Sequence, residues 1–204
     1  MPRLLTLFVV TIISISLVAA AGTSQVVAAR QNSSFQVPSA GNPDAALNFM
    51  LGSWRVSGRA LQRDGTYSAD TFSTLDVTPL FSGGNTMGIQ LHGYPLKDED
   101  GGASPFGITY FEYFRMFVYH AETKSWRGIG HNTLGNRKWL EGHVSGDTFY
   151  FDQTGELFQK AEGTVRFTFY DITENSHRVQ IDYTTDGGKS WVEGTYRMDV
   201  VRTQ

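Results

Sequence analysis

Two charged side chains interrupt the most aromatic stretch of the chain. Glu112 and Arg115 stand in the run from Phe106 to Tyr119. There Phe106, Ile108, Tyr110, Phe114, Met116 and Val118 share one parity, and Phe111, Tyr113, Phe117 and Tyr119 the other. A guanidinium in apolar surroundings can anchor a carboxylate through its fork of donors. A carboxylate there can take or give a proton. On a regular strand, residues three apart face opposite ways. Glu112 and Arg115 therefore cannot pair with each other, and each needs a partner from a neighbouring strand if buried. Exposure at a barrel mouth is the open alternative.

The five histidines are the next candidates. His131 and His143 lie on two strands joined by a turn at Gly135-Asn136. A two-residue loop pairs 131 with 140 and 128 with 143, which sends the imidazoles to opposite faces and argues against a shared metal. No His-x-His or His-Glu-x-x-His spacing occurs and the chain has no cysteine, so neither a metal site nor a cofactor is expected. His131, beside Ile129, is the histidine expected to line a pocket. Serine hydrolysis has no support, because Ser82-Gly83-Gly84 reads as a turn and no Gly-x-Ser-x-Gly occurs. The acidic stretch Lys97 to Gly102 lacks the ligand spacing of a calcium loop.

These residues need a scaffold, and the apolar period says which. After Gly52 it is two: Trp54-Val56-Gly58-Ala60, Met87-Ile89-Leu91, Val165-Phe167-Phe169, Val179-Ile181-Tyr183 and Val192-Tyr196-Met198-Val200. Turn chemistry at Asp64-Gly65, Gly135-Asn136, Gly146-Asp147 and Asp186-Gly187-Gly188 separates the runs. Nine or ten strands with tight turns predict an all-β, antiparallel, up-and-down barrel. Glycines inside strands, such as Gly58, Gly128 and Gly142, allow the sheet to coil. The aromatic run is expected to be covered on both faces, since large exposed apolar patches are uncommon. Before the barrel, Asn42 and Pro43 open a short helix with the stripe Leu47, Met50 and Leu51, ended by Gly52.

The first residues carry a different signal. Arg3, the apolar run Leu4 to Val18 and the small residues Ala19, Ala20 and Ala21 have the three parts of a secretory signal. Residues 1–21 are read as that signal, 22–42 as a flexible linker and 43–204 as one barrel domain. A retained membrane anchor is the rival reading, and Val27-Ala28-Ala29 is a second cleavage site. Export to the periplasm or beyond follows. A net charge of −3 with no basic patch argues against nucleic acid as a partner.

Gly52-Ser53-Trp54, a Gly-x-Trp after a short helix and at the first strand, resembles the opening of lipocalins and their calycin relatives. The resemblance implies that Trp54 closes one barrel end under an arginine of the last strand, Arg197 or Arg202, with Arg197 the first choice. The order Leu51 to Trp54, Leu80 to Gly84, Tyr119 with Thr123 to Trp126, and the hairpin from Asp182 to Val200 is similar to a bacterial calycin-like family of unknown function. Nitrobindins, haem-binding relatives, begin alike and ligate iron through one histidine, for which His177 lies in roughly the right part. Thr184 to Trp191 also matches the Asp-box pattern of sialidases, read here as a hairpin turn.

The function these readings support is binding of a small apolar or amphipathic molecule in a barrel cavity. Tyr110, Glu112, Arg115, His131 and Tyr183 are the candidate ligand residues, and Gly52, Trp54 and Arg197 the closure. An enzyme using Glu112, Arg115 and His131 in one cavity, a partner-binding domain built on the aromatic strand, and haem binding are the alternatives.

Overall fold

The computed structural model describes residues 35, 38–39, 41–81, 88–95, 112–133, 135–156 and 162–203. The expected signal, the acidic stretch from Lys97, the Ser82-Gly83-Gly84 turn and Tyr110 lie outside the described residues. Ten strands form the barrel: β1 (Gly52–Ala60), β2 (Thr71–Pro79), β3 (Gly88–Pro95), β4 (Tyr113–His120) and β5 (Ser125–Asn132), followed by β6 (Arg137–Ser145), β7 (Thr148–Glu156), β8 (Glu162–Tyr170), β9 (Ser176–Thr184) and β10 (Val192–Arg202). Each pairs antiparallel with its sequence neighbours, and β10 returns to β1, so the sheet closes without an edge. This is the up-and-down barrel that the period of two predicts.

The stripe before β1 forms 3-10 turns rather than an α-helix. Ala45, Asn48, Met50 and Leu51 each donate a backbone N–H three residues back, to Asn42, Ala45, Leu47 and Asn48. Too few residues are present to stabilise an α-helical nucleus. The i to i+3 spacing instead stacks Ala46 over Phe49 and Leu47 over Met50, and all four are buried in the core. Phe35 packs against the same core.

Every second residue of each strand faces inward. One half of the interior is an aromatic core of Trp54, Trp126, Phe117, Phe149, Phe151 and Phe169, joined by Ile89, Val77 and Val200. The rings meet edge-on or tilted, as with Phe117 and Phe151 at 5.1 Å or Trp126 and Phe149 at 5.9 Å. The 3-10 segment plugs this end.

The register between β5 and β6 departs from the two-residue turn. His131 pairs with Arg137, Gly130 with Lys138 and Gly128 with Leu140, so the last pair encloses five residues where a two-residue turn encloses two. Asn132 stabilises this connection by accepting from the Gly135 N–H at its carbonyl and from the Asn136 N–H at its side chain. The shift from the expected pairing is an odd number of residues and therefore reverses a face. His131 and His143 both point outward, and six residues of strand separate His143 from the partner of His131.

Candidate functional site

The closed end is built around Trp54. Its Nε1–H donates to the Met50 carbonyl at 2.7 Å. Arg202 pairs with it across β1 and β10, and the guanidinium lies 4.1 Å from the indole centroid. Arg202 also donates to the Leu51 carbonyl at 2.8 Å and the Glu174 carbonyl at 3.0 Å. Arg197 does not take this place. It has the opposite parity on β10, so it points outward and lies 5.0 Å from the Tyr67 ring. Gly52 has φ +124°, and a side chain there would run into the Arg202 guanidinium. Gly52→Ala is expected to lower stability by about 1–3 kcal/mol, read as a lower urea midpoint at unchanged slope.

His177 lies beneath this cap. It is 2 % exposed and meets the rings of Trp54, Phe49 and Phe169 at 4.9, 5.4 and 5.7 Å. Neither of its nitrogens has a hydrogen-bond partner. Burial, with the charge of Arg202, pushes its pKa down to about 3. The imidazole is thus walled by rings and packed as an apolar side chain.

The other half of the interior differs in chemistry. Above the aromatic core, the inward positions are Thr71, Ser73, Tyr113, Arg115, Asn132, Lys138, Gln153, Ile181, Met198 and Tyr196, half-buried for the most part. They form a polar cup in the half of the barrel away from Trp54. Arg115 is its most distinctive group. The guanidinium carbon lies 4.3, 4.7 and 5.5 Å from the ring centroids of Tyr113, Phe167 and Phe151. Its Nε and Nη2 donate weakly to Gln153 Oε1 at 3.4 and 3.3 Å, and it hydrogen bonds the Tyr113 side chain. Burial pushes its pKa down, against the pull of Tyr113.

Glycines make room for the cup wall. A side chain at Gly58 would strike the Tyr196 ring, and one at Gly93 the Tyr113 ring. Tyr196 shares a hydrogen bond of 2.5 Å with Thr71, and burial raises its phenol pKa. Lys138 lies in the same hydrogen-bonded row as Arg115, with Gly130 between them, and is 7 % exposed.

The remaining candidates divide. Tyr183 has inward parity but is 38 % exposed at the rim. His131 is exposed on the outer face, and Phe114, its neighbour on β4, also faces outward. Glu112 joins an outer chain that sequence spacing did not suggest. His92 Nε2 bonds its carboxylate, and the Tyr94 hydroxyl bonds His92 Nδ1 at 2.5 Å. Burial, and after it the negative charges of Glu112 and Asp76, raise the Tyr94 pKa. Glu112 and His131 are therefore separated from Arg115 by the sheet, and the three cannot act in one cavity. The residues missed from sequence were Gln153, Tyr196 and Lys138, whose parity on their strands was the available signal.

The outer side of the aromatic strand is not covered by any described element. Met116, Ile129 and Trp139 adjoin across β4, β5 and β6, and Trp139 is 56 % exposed under a cation–π contact from Arg137 at 4.7 Å. The Thr184 to Trp191 segment is a turn held by Asp186. That carboxylate accepts from the Ser190 N–H at 3.0 Å and the Ser190 hydroxyl at 2.6 Å, which holds its pKa well below the usual carboxylate range.

A closed, ten-stranded, up-and-down barrel of this kind is calycin-like. Two solved structures share the fold. The S-type phycobiliprotein lyase CPES from Guillardia theta is 12 % identical, with 80 % of this chain and 93 % of that one covered and a TM-score of 0.53. Rv2717c from M. tuberculosis is 11 % identical, with 79 % and 98 % covered and a TM-score of 0.54. At this identity the likeness establishes the fold alone. No family model and no curated protein matches the sequence.

Proposed function

We propose that the protein is exported and that the polar half of its barrel binds a small amphipathic molecule. The observation that carries this reading is the split interior. One half is packed with aromatic rings, whereas the other buries a guanidinium and amide, ammonium and phenol groups that a barrel built only for stability would replace with apolar side chains. Burying such groups costs free energy unless they are used or satisfied. Concave sites with an apolar lining and a few convergent polar groups are the usual form of small-molecule pockets. One solved structure that shares the fold is a phycobiliprotein lyase, which is compatible with a small-molecule partner. The motif order described above supports a place near the bacterial calycin-like family of unknown function.

Native mass spectrometry of protein purified from its own host is expected to retain a small molecule. An apolar fluorescent probe is expected to be displaced by an extract of that molecule. A barrel that carries nothing and binds no probe would overturn the reading. The export half rests on Arg3, the Leu4 to Val18 run and Ala19 to Ala21. It is tested by the mass of the mature chain, which export predicts to lack residues 1–21.

A further inference from the structure

We infer that the 3-10 segment is an acid-released plug: as the pH falls, protonation of His177 favours a state in which residues 42–51 swing away from the Trp54 end of the barrel. The device is separate from the polar cup and does not depend on what the cup binds.

The imidazole sits at the seam between plug and barrel. Phe49, from the plug, meets it with the ring planes at 90°. Trp54 of β1 and Phe169 of β8 cover it from the barrel side. Both of its nitrogens are buried and have no hydrogen-bond partner. A charged imidazole has two N–H donors to satisfy, and a buried charge without a partner is costly to keep. Water must therefore reach the ring before it holds a proton.

The plug is the wall that yields most cheaply. Trp54 is paired with Arg202 and Leu75, and Phe169 with Phe149 and Val179, so moving either breaks the closed sheet. The turn bonds from Ala45, Asn48, Met50 and Leu51 run within residues 42–51 and travel with the segment. It is tied to the barrel at its trailing end, where the Met50 carbonyl accepts from Trp54 Nε1–H and the Leu51 carbonyl from Arg202. Gly52 follows at φ +124°, and its backbone freedom makes a pivot at this junction. Burial of Ala46, Leu47, Phe49 and Met50 keeps the plug seated at neutral pH.

Arg202 on β10 is the charge that acts on the ring, and it repels a second positive charge. Leu47 to Met50 carry no charge, and Asp44 before them is exposed. In the connection from β8 to β9, Asp171 and Glu174 are exposed, and Arg178 binds Asp171 and Asp199 on the outer face. With the plug seated, burial first and Arg202 second hold the imidazole pKa at about 3, against 6.5 in water. The seated value is the lowered one, so each pH unit below 6.5 favours the released state by about tenfold.

The test is amide hydrogen exchange by NMR on the purified protein at pH 7.5, 6.5, 5.5 and 4.5, corrected for intrinsic rates and repeated in urea below the unfolding midpoint. The Asn48, Met50 and Leu51 N–H groups report on the plug, and those of β6 and β7 on the whole barrel. Plug protection is expected to be lower than that of β6 and β7 and to depend little on urea. It should fall about a hundredfold between pH 7.5 and 4.5. His177→Leu is expected to remove that fall. Plug amides that share the protection and urea slope of β6 and β7 would show release only on global unfolding, which overturns the device. A fall that persists in His177→Leu also overturns it. The wild-type imidazole supplies a check that needs no variant. Its Cε1–H resonance is expected to remain that of the neutral ring while the plug amides are protected, and a titration near pH 6.5 with those amides still protected overturns the inference.

Discussion

Replacing His177 with leucine is expected to remove most of an acid instability from this barrel, worth about 4–5 kcal/mol between pH 6.5 and 3. The imidazole has no hydrogen-bond partner and is closed in by Trp54, Phe49 and Phe169. Its pKa falls from 6.5 to about 3 on folding. Between those values the unfolded chain binds a proton that the folded chain refuses. Stability due to this group is therefore intact above pH 6.5 and is lost progressively as the pH falls toward 3. Urea midpoints of wild type and His177→Leu at pH 7.5, 5.5 and 4.5 check the sign. The two curves should nearly coincide or slightly favour the variant at pH 7.5 and diverge in its favour by about 2–3 kcal/mol at pH 4.5. Parallel curves at all three values would show that His177 finds a proton-accepting partner when charged.

The second large effect is expected at the cap. Trp54→Ala should lower stability by about 3–5 kcal/mol, because the indole is fully buried and its loss leaves a cavity under the plug. The bond to the Met50 carbonyl goes with it, and the 3-10 segment loses its anchor to β1. Arg202→Met should cost less, about 1–3 kcal/mol, from the cation–π contact and two bonds to backbone carbonyls. Arg197→Met should lie within about 0.5 kcal/mol of wild type, the usual range of surface changes. A double-mutant cycle on Trp54 and Arg202 should show coupling, and the same cycle with Arg197 none. Equal costs for the two arginines would mean that the stack on Trp54 is not what closes the barrel.

Much of the architecture was legible in the residues alone. Alternating apolar positions with Gly-containing turns require strands, and ten such strands in one chain satisfy their edges most simply by closing. The short stripe from Leu47 to Leu51 and the Gly52-Ser53-Trp54 signature located the plug. The opposite facing of Glu112 and Arg115 followed from the period of two and needed no partner strand. The turn at Asp186 was also legible, because its bonds run between residues four apart or fewer.

What sequence could not decide depended on register and parity across strands. The last pair of β5 and β6 encloses five residues where two were read, and that odd shift puts His131 and His143 on the same outer face instead of opposite ones. Arg197 and Arg202 are equally plausible beside Trp54 until β10 is aligned with β1, and only then does pairing place Arg202 on the indole. Gln153, Tyr196 and Lys138 come from three different strands, and only closure of the barrel brings them into the same interior as Arg115. The Tyr94, His92 and Glu112 chain likewise needs β3 beside β4. Local periodicity determines which residues can face inward, because it is a property of one strand. Which of them meet is a property of the closed sheet, set by loop lengths and by the packing of rings that no single segment contains.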